Sequence, residues 1–435
     1  MPSSIDDIFL FPHEHPSGPI APTHRGLLAN EMPLKPNVCL GGNLPRGLSF
    51  SSEDRQVYSA LSCLLANVML ASWQPATQWV FYSRDHNHYA AVRTLAPAWY
   101  TRRAIIMAVD VLLAAGLVEA RRTAPSPSAR LRSRVRATPS LAAVCGAQSL
   151  RDLCWAEPPP LILRDRGNRK LLDPRTALTP DEFVQFQLMA RDVEAHNSFL
   201  SHFTVGLQGA RVIQTGHLEM GGDRINPLQR SYRRVFNGNL QLGGRWYGPW
   251  WQGLSGSLRQ HLTLDGEPTV ELDFAACQLR LLLAKCGCPD PLAGHIRHPD
   301  PNFDLYRVEG ADRNVVKSAL IFMVNADDRR RARAALSRKL SQRGEGQARR
   351  RAGVVMQSVE AAFPLLRPFW FTGVGLELQS VDAEVCTAVQ RSLRDLDLPV
   401  LSIHDSFITF RHAEAILYRA MRDRFNAAYT ALANS

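Results

Sequence analysis

Apolar residues recur at helical spacing from Ser52 onward: Val57, Leu61, Leu64, Leu65 and Val68 fall on one face, which predicts a helix. A second helical run begins near Pro97 and carries Ile105, Val109, Leu112 and Leu113. It stops at Ala115 and Gly116, where a glycine can take the left-handed turn that closes a helix. The period then changes. Residues 117–122 and 132–136 alternate as strands do, with a Pro/Ser turn reaching Ser128 between them, so they predict an arginine-rich hairpin whose arginines point outward. Residues 1–50 are rich in Pro, Gly and His and show no periodicity, which predicts an irregular arm.

Past Pro158, Pro159 and Pro160, which predict a linker, residues 161–163 open a new unit. Between Tyr232 and Leu262 arginines (Arg233, Arg234, Arg245, Arg259) are interleaved with aromatic residues and glycines, a mixture suited either to a core or to a surface that grips a nucleic-acid strand. Residues 269–274 alternate and are rich in strand formers, so Asp273 falls near the end of a strand that feeds a helix over 278–284. Residues 311–324 read as a helix with Arg313 and Lys317 on one face. Residues 399–405 and 406–410 predict a β-hairpin whose turn presents His404 and Asp405. Ten arginines and lysines crowd residues 329–351, either a solvated helical face or a patch that tracks a phosphate backbone.

Composition narrows the class. A chain of 435 residues suits two or three domains, and 51 Lys and Arg against 40 Asp and Glu give a formal charge of +11, which favours a polyanionic partner such as DNA. No apolar run is long enough to span a bilayer and the N-terminus lacks a basic stretch followed by an apolar core, so a soluble, cytoplasmic protein without membrane contact is expected. The cysteines at 39, 63, 145, 154, 277, 286, 288 and 386 include no CxxC pair and no His partners at finger spacing, and read as reduced core thiols.

The candidate chemistry lies in three segments in fixed order: residues 271–280, 313–317 and 401–407. Two aspartates brought together from separate strands repel unless cations fill the gap, which makes Asp273 and Asp405 natural ligands for a pair of Mg²⁺ ions, with Mn²⁺ as a substitute. Such ions activate an attacking 3′ hydroxyl and stabilise leaving pyrophosphate. Two cations one helical turn apart, Arg313 and Lys317, could hold a nucleoside triphosphate.

The ordered set resembles motifs A, B and C of the right-handed single-subunit polymerases, the family A DNA polymerases and the phage-type RNA polymerases. Asp273-Phe-Ala-Ala-Cys-Gln-Leu-Arg280 is similar to motif A, Arg313 and Lys317 to the Arg-x-x-x-Lys of motif B, and His404-Asp405 to the His-Asp of motif C. Gly243-Gly-Arg245 and Leu258-Arg259 are similar to the template and primer contacts that precede motif A, and residues 378–384 to the glutamine-bearing helix before motif C.

The resemblance implies an α+β fold: an antiparallel palm over about 265–290 and 375–425, helical fingers over about 291–360 and a helical thumb, all within 161–435. Asp273, Asp405 and the carbonyl of Phe274 would bind the metals, and Arg313 and Lys317 the triphosphate. His404 would position the primer end. Gln278, Ile321 and Asn325 would line the nucleotide site, and Arg233, Arg234, Arg245, Arg259, Arg280 and Gln379 would contact template and primer.

The family carries a tyrosine where this chain has Asn325, followed by Ala326 in place of glycine, and a glutamate where it has Gln278. His-Asp-Ser-Phe in motif C is like the RNA polymerases, so the sugar preference stays open.

Residues 51–148, helix then basic hairpin, resemble a winged helix-turn-helix domain. There the helix with Thr101, Arg102 and Arg103 would enter the major groove while Arg130, Arg132, Arg134 and Arg136 hold phosphates. The expected function is template-directed DNA synthesis in plasmid or phage replication, with primase activity as a variant and other replication proteins as further partners. The alternatives are a primer-synthesising RNA polymerase and a non-catalytic replication initiator or transcriptional regulator.

Overall fold

The computed structural model describes residues 31–41, 54–74, 79–93, 96–122, 133–157, 159–167, 171–300 and 302–434, over which the chain is α+β. It forms two compact units, one comprising residues 1–185, 207–233 and 247–262 and the other residues 186–206, 234–246 and 263–435. Neither is a continuous segment, so the boundary expected at residue 161 is not a boundary of either unit.

In the first unit the predicted helix is Arg55–Ser72, started by Asp54, whose carboxylate accepts from the amides of Gln56 and Val57. Its apolar face is buried as the periodicity requires. The second helix is Arg102–Ala114, capped by the Thr101 hydroxyl, and Gly116 takes a φ of 68° just beyond its end. Strands Val118–Arg121 and Ser133–Ala137 pair antiparallel, and the latter pairs with Trp79–Tyr82. The turn between the two basic strands, with Arg130 and Arg132, lies outside the described residues.

Two expectations for this unit are corrected and one alternative is decided. The arm is not irregular throughout: Glu31–Pro33 pairs parallel with Trp79–Tyr82, and Val38–Leu40 pairs antiparallel with Leu153–Trp155. Strands of three residues are too short to announce a period, but Leu34 and Val38 are buried, and Asn67 binds both the amide and the carbonyl of Lys35 at 2.8 and 3.0 Å. The hairpin arginines do not all face outward, because Arg134 is buried and the guanidiniums of Arg121, Arg134 and Arg136 lie 5.1, 5.2 and 4.6 Å from the Trp79 ring. Tyr232, Arg233, Trp250 and Trp251 are buried, so this part of the aromatic and arginine-rich stretch is core.

In the second unit, strands Leu401–Ile403, Ser406–Phe410 and Glu267–Asp273 run antiparallel in that order, and Glu267–Asp273 pairs on its other side with residues 263–264. The side chains of Phe274, Phe407 and Phe425 pack together between the sheet and the helix Glu414–Ala433. That helix packs with the helices Cys277–Lys285 and Gly375–Arg394, and the helices Arg313–Asn325, Arg329–Gln342 and Ala348–Ala362 pack on one another. Phe236 and Trp246 are buried too, with the Trp246 indole donating to Thr387 Oγ1 at 3.1 Å.

The cysteines are all free thiols, but only Cys63, Cys145, Cys277 and Cys386 are buried, so the reading of them as core thiols holds for half of the set.

Candidate active site

Asp273 is the last residue of its strand and pairs in register with Ser406, the first of the neighbouring strand, so Asp405 lies next to it at the hairpin turn. The amide of Phe274 donates to the carbonyl of Asp405 at 3.2 Å, which ties the two aspartate-bearing turns together. Both turns hold a non-glycine residue in the left-handed region, Ala276 at φ 51° and His404 at φ 59°. Such residues are sparsely populated and persist only where their surroundings fix them, so the chain is held here against its local preference. Beneath them Ser406 Oγ donates to Glu271 Oε1 at 2.5 Å.

A third carboxylate joins this pair. Asp382, on the helix Gly375–Arg394, is buried, bonded by Arg245 through Nε and Nη2, each 2.7 Å from Oδ2, and approached by the Cys277 thiol at 3.7 Å from Oδ1. Asp405 responds to this crowding: burial first, then the charges of Asp382 and Asp273, push its carboxyl up to about 7 against the pull of Arg245. Burial followed by the same Asp382 and Asp405 charges raises the Cys277 thiol well above its usual range.

Arg313, Lys317, Ile321 and Asn325 recur every fourth residue on the exposed face of the helix Arg313–Asn325, while Val315, Val316, Ala319, Leu320 and Met323 fill its buried face. The helix is started by Asp312, which accepts from the amide of Val315 at 3.0 Å. Arg313 is not free: its Nε is 2.6 Å from Asp304 Oδ2. Asn325 seats its amide against Gly375, where a Cβ would come 2.2 Å from Oδ1, and Gln379 Nε2 approaches the same oxygen at 3.5 Å. Gln278 is half-buried and Phe274 buried.

Several expected nucleic-acid contacts serve the protein itself. Arg280 is completely buried, donating to both oxygens of Asp290 at 2.9 and 2.6 Å with its guanidinium 4.1 Å from the Phe425 ring. It is a core residue because a bidentate carboxylate takes Nε and Nη2 and an aromatic face covers its plane, while Nη1 is buried without a hydrogen-bond partner among the described residues. Arg234 is buried, bonded to the carbonyl of Gly244 and to Glu384, each at 2.7 Å. Arg245 is spent on Asp382.

Arg102, Arg103, Arg134, Arg136, Arg233 and Arg259 belong to the other unit. Arg102 and Arg103 are exposed at the start of their helix, with Arg102 Nε bonded to the carbonyl of Arg84 at 2.7 Å and Arg103 3.4 Å from Asp54. Arg136 pairs with Glu119 at 2.7 Å, Arg259 donates to the carbonyl of Leu254 at 3.1 Å, and Arg233 is buried.

Sequence reasoning missed Asp382, Asp304 and Tyr306. Asp382 carried a signal: it is an acidic residue on the apolar face of its helix, flanked by Leu378, Ala383, Val385 and Cys386. Asp304 and Tyr306 lie in a connecting segment without periodicity and carried none.

No protein-family model matches the chain, and no curated protein matches it. Among the described residues no group of three or more His, Cys, Asp or Glu side chains is arranged to hold a metal ion. The donor set of Asp273 and Asp405 nonetheless suits a hard cation, since oxygen ligands with negative charge are what Mg²⁺ takes, and the neighbouring charges of Asp382 and Asp273 join burial in raising the Asp405 pKa. Among the described residues no helix is long and apolar enough to cross a membrane.

Proposed function

We propose that the second unit carries out template-directed nucleotidyl transfer on DNA. The observation that carries this reading is the pairing of Asp273 with the turn that bears Asp405, which brings two carboxylates together at one end of the sheet. The exposed Arg313 and Lys317 face supports it, because it supplies cations for a triphosphate on a helix of the same unit.

In this reading Asp273, Asp405 and the carbonyl of Phe274 hold Mg²⁺, which when bound activates a 3′ hydroxyl and neutralises leaving pyrophosphate. Arg313 and Lys317 bind the triphosphate and offset the charge that develops as the phosphoryl group transfers. His404, held in the turn beside Asp405, orients the primer end, and Asn325 and Ile321 line the approach to the nucleotide. Arg245 pairs with Asp382 instead of gripping the template. In the first unit, the exposed Arg102 and Arg103 at a helix start and the basic strands that follow support a winged-helix role in DNA binding.

Extension of a labelled primer-template with Mg²⁺ tests the proposal, in lanes with dNTPs, NTPs or both, a lane without primer, and Asp273→Ala and Asp405→Asn as controls. Extension lost in both variants with DNA binding retained is the expected result, and the productive lane gives the sugar. Synthesis that persists in Asp405→Asn overturns the assignment. No incorporation beside tight DNA binding would instead favour a non-catalytic replication initiator.

A further inference from the structure

Tyr306 belongs to the segment between the helices Cys277–Lys285 and Arg313–Asn325, and it is buried although its neighbours Asn302, Phe303 and Arg307 are exposed. Its ring lies under both cations of the helix face: the Arg313 guanidinium is 5.6 Å and the Lys317 ammonium 5.7 Å from its centroid. Asp304 locks the arrangement, because one of its oxygens accepts from the Tyr306 amide at 3.1 Å and the other holds Arg313 at 2.6 Å. The ring thus sets the spacing of two long side chains that would otherwise sample many rotamers.

The phenol also feels the charge of Asp405. Burial first, then the charges of Asp405 and Cys277, raise its pKa above the usual tyrosine value, so it is a neutral hydroxyl at any working pH. Among the described residues that hydroxyl has no hydrogen-bond partner. A protonated phenol beside two cations, with no acceptor for it among the described residues, suits phosphate oxygens, which are acceptors only.

We propose that Tyr306 is a third ligand for a nucleoside triphosphate, its ring spacing Arg313 and Lys317 and its hydroxyl donating to the phosphoryl chain they hold. The proposal rests on the nucleotidyl-transfer reading, and deepens it by giving the triphosphate a neutral donor that no motif predicted. Tyrosine differs from a third cation here: it adds a hydrogen bond without adding charge that would compete with the metal for the carboxylates.

The test uses the full chain as wild type, Tyr306→Phe and Tyr306→Ala. Calorimetric titration with Mg²⁺ and inorganic tripolyphosphate, and separately with dATP, is set beside KM and kcat in primer extension and the thermal midpoint of each protein. Tyr306→Phe keeps the ring, so its midpoint stays at the wild-type value while tripolyphosphate affinity falls about tenfold, the worth of one hydrogen bond to a charged group. Tyr306→Ala also frees the two cations and loses more. A Tyr306→Phe protein that binds tripolyphosphate and uses dATP like wild type overturns the proposal, as does a wild-type protein that binds no tripolyphosphate. If wild type extends no primer yet binds tripolyphosphate in a Tyr306-dependent way, the polymerase reading fails and the triphosphate site stands.

Discussion

Arg245 and Asp382 form an ion pair in which both Nε and Nη2 of the arginine reach the same carboxylate oxygen at 2.7 Å, with the aspartate side chain 3% exposed and the arginine 17%. The pair joins the strand Asn239–Tyr247 to the helix Gly375–Arg394 and sits beside the carboxylates of the candidate site. Removing one partner leaves a buried charge without compensation, which is far more costly than removing both. Arg245→Met should therefore cost about 3–5 kcal/mol of stability. Arg245→Met combined with Asp382→Leu should recover most of that loss. Urea denaturation of the three proteins measures it, and a single-variant loss below about 1 kcal/mol, the range of a surface pair, would show that the contact is not desolvated.

Asp382 also bears on the protonation of Asp405. Its charge is the first cause after burial of the raised Asp405 carboxyl, so Asp382→Asn lowers the Asp405 pKa, and the Arg245 charge it uncovers lowers it further. A carboxylate that ionises at lower pH is available to a cation at lower pH, so the acid limb of primer extension, measured at fixed Mg²⁺, should move toward acid in this variant. Movement toward neutral pH, or none, would mean that the charge of Asp405 is set from elsewhere.

The left-handed conformation of Ala276 is a local cost at the start of the helix Cys277–Lys285. Glycine takes φ 51° without a Cβ penalty and is also the better residue at a helix N-cap. Ala276→Gly should raise stability by about 0.5–1 kcal/mol, read as a shift of the denaturation midpoint at constant slope. A loss of stability would show that the alanine methyl makes packing contacts worth more than the strain.

Arg280 separates a structural role from a nucleic-acid contact. With its fork on Asp290 and its plane on Phe425, Arg280→Ala should destabilise by about 3–5 kcal/mol, and Arg280→Lys, which cannot reproduce a bidentate pair, should recover only part of the loss. DNA affinity of the folded fraction, measured at several salt concentrations, should keep the wild-type salt slope. A slope reduced by about one would mean that Arg280 neutralises a phosphate after all.

The parts of this protein that were legible in its sequence are those where one rule acts alone. The strand that ends at Asp273, the hairpin turn with His404 and Asp405, and the spacing of Arg313 and Lys317 follow from alternation and helical period, since each element presents one face to a core. The arginines at 233, 234 and 280 were misplaced because charge predicts exposure until a carboxylate, a carbonyl or an aromatic plane is brought to it by tertiary folding, which no local pattern records. Tyr306 and Asp304 were invisible for the same reason: their importance lies in what stands opposite them. The strand Val38–Leu40 escaped because a three-residue element is specified by its partner, not by its own period.

His196 gives the second unit an acid weakness that is independent of the candidate site. It lies on the helix Pro180–Ser201, wholly buried with its ring edge-on to Trp246 at 5.6 Å, and burial first, then the Arg394 charge, lower its pKa to about 3 against the opposing pull of Asp192. Asp192 in turn holds Arg391 at 2.9 Å and Arg394 at 3.2 Å, so the surroundings carry net positive charge. The folded state therefore keeps the imidazole neutral while the unfolded chain protonates it near its ordinary value of 6.5. Between those two values the unfolded state binds more protons, so stability is full above about pH 6.5 and falls as the pH drops, by up to about 1.4 kcal/mol per unit. His196→Gln removes the titration, and its denaturation midpoint should change less than that of wild type between about pH 7.5 and about pH 4.5, a window in which the carboxylates, Asp405 among them, titrate alike in both proteins. Equal changes in the two proteins would show that acid unfolding starts at other groups.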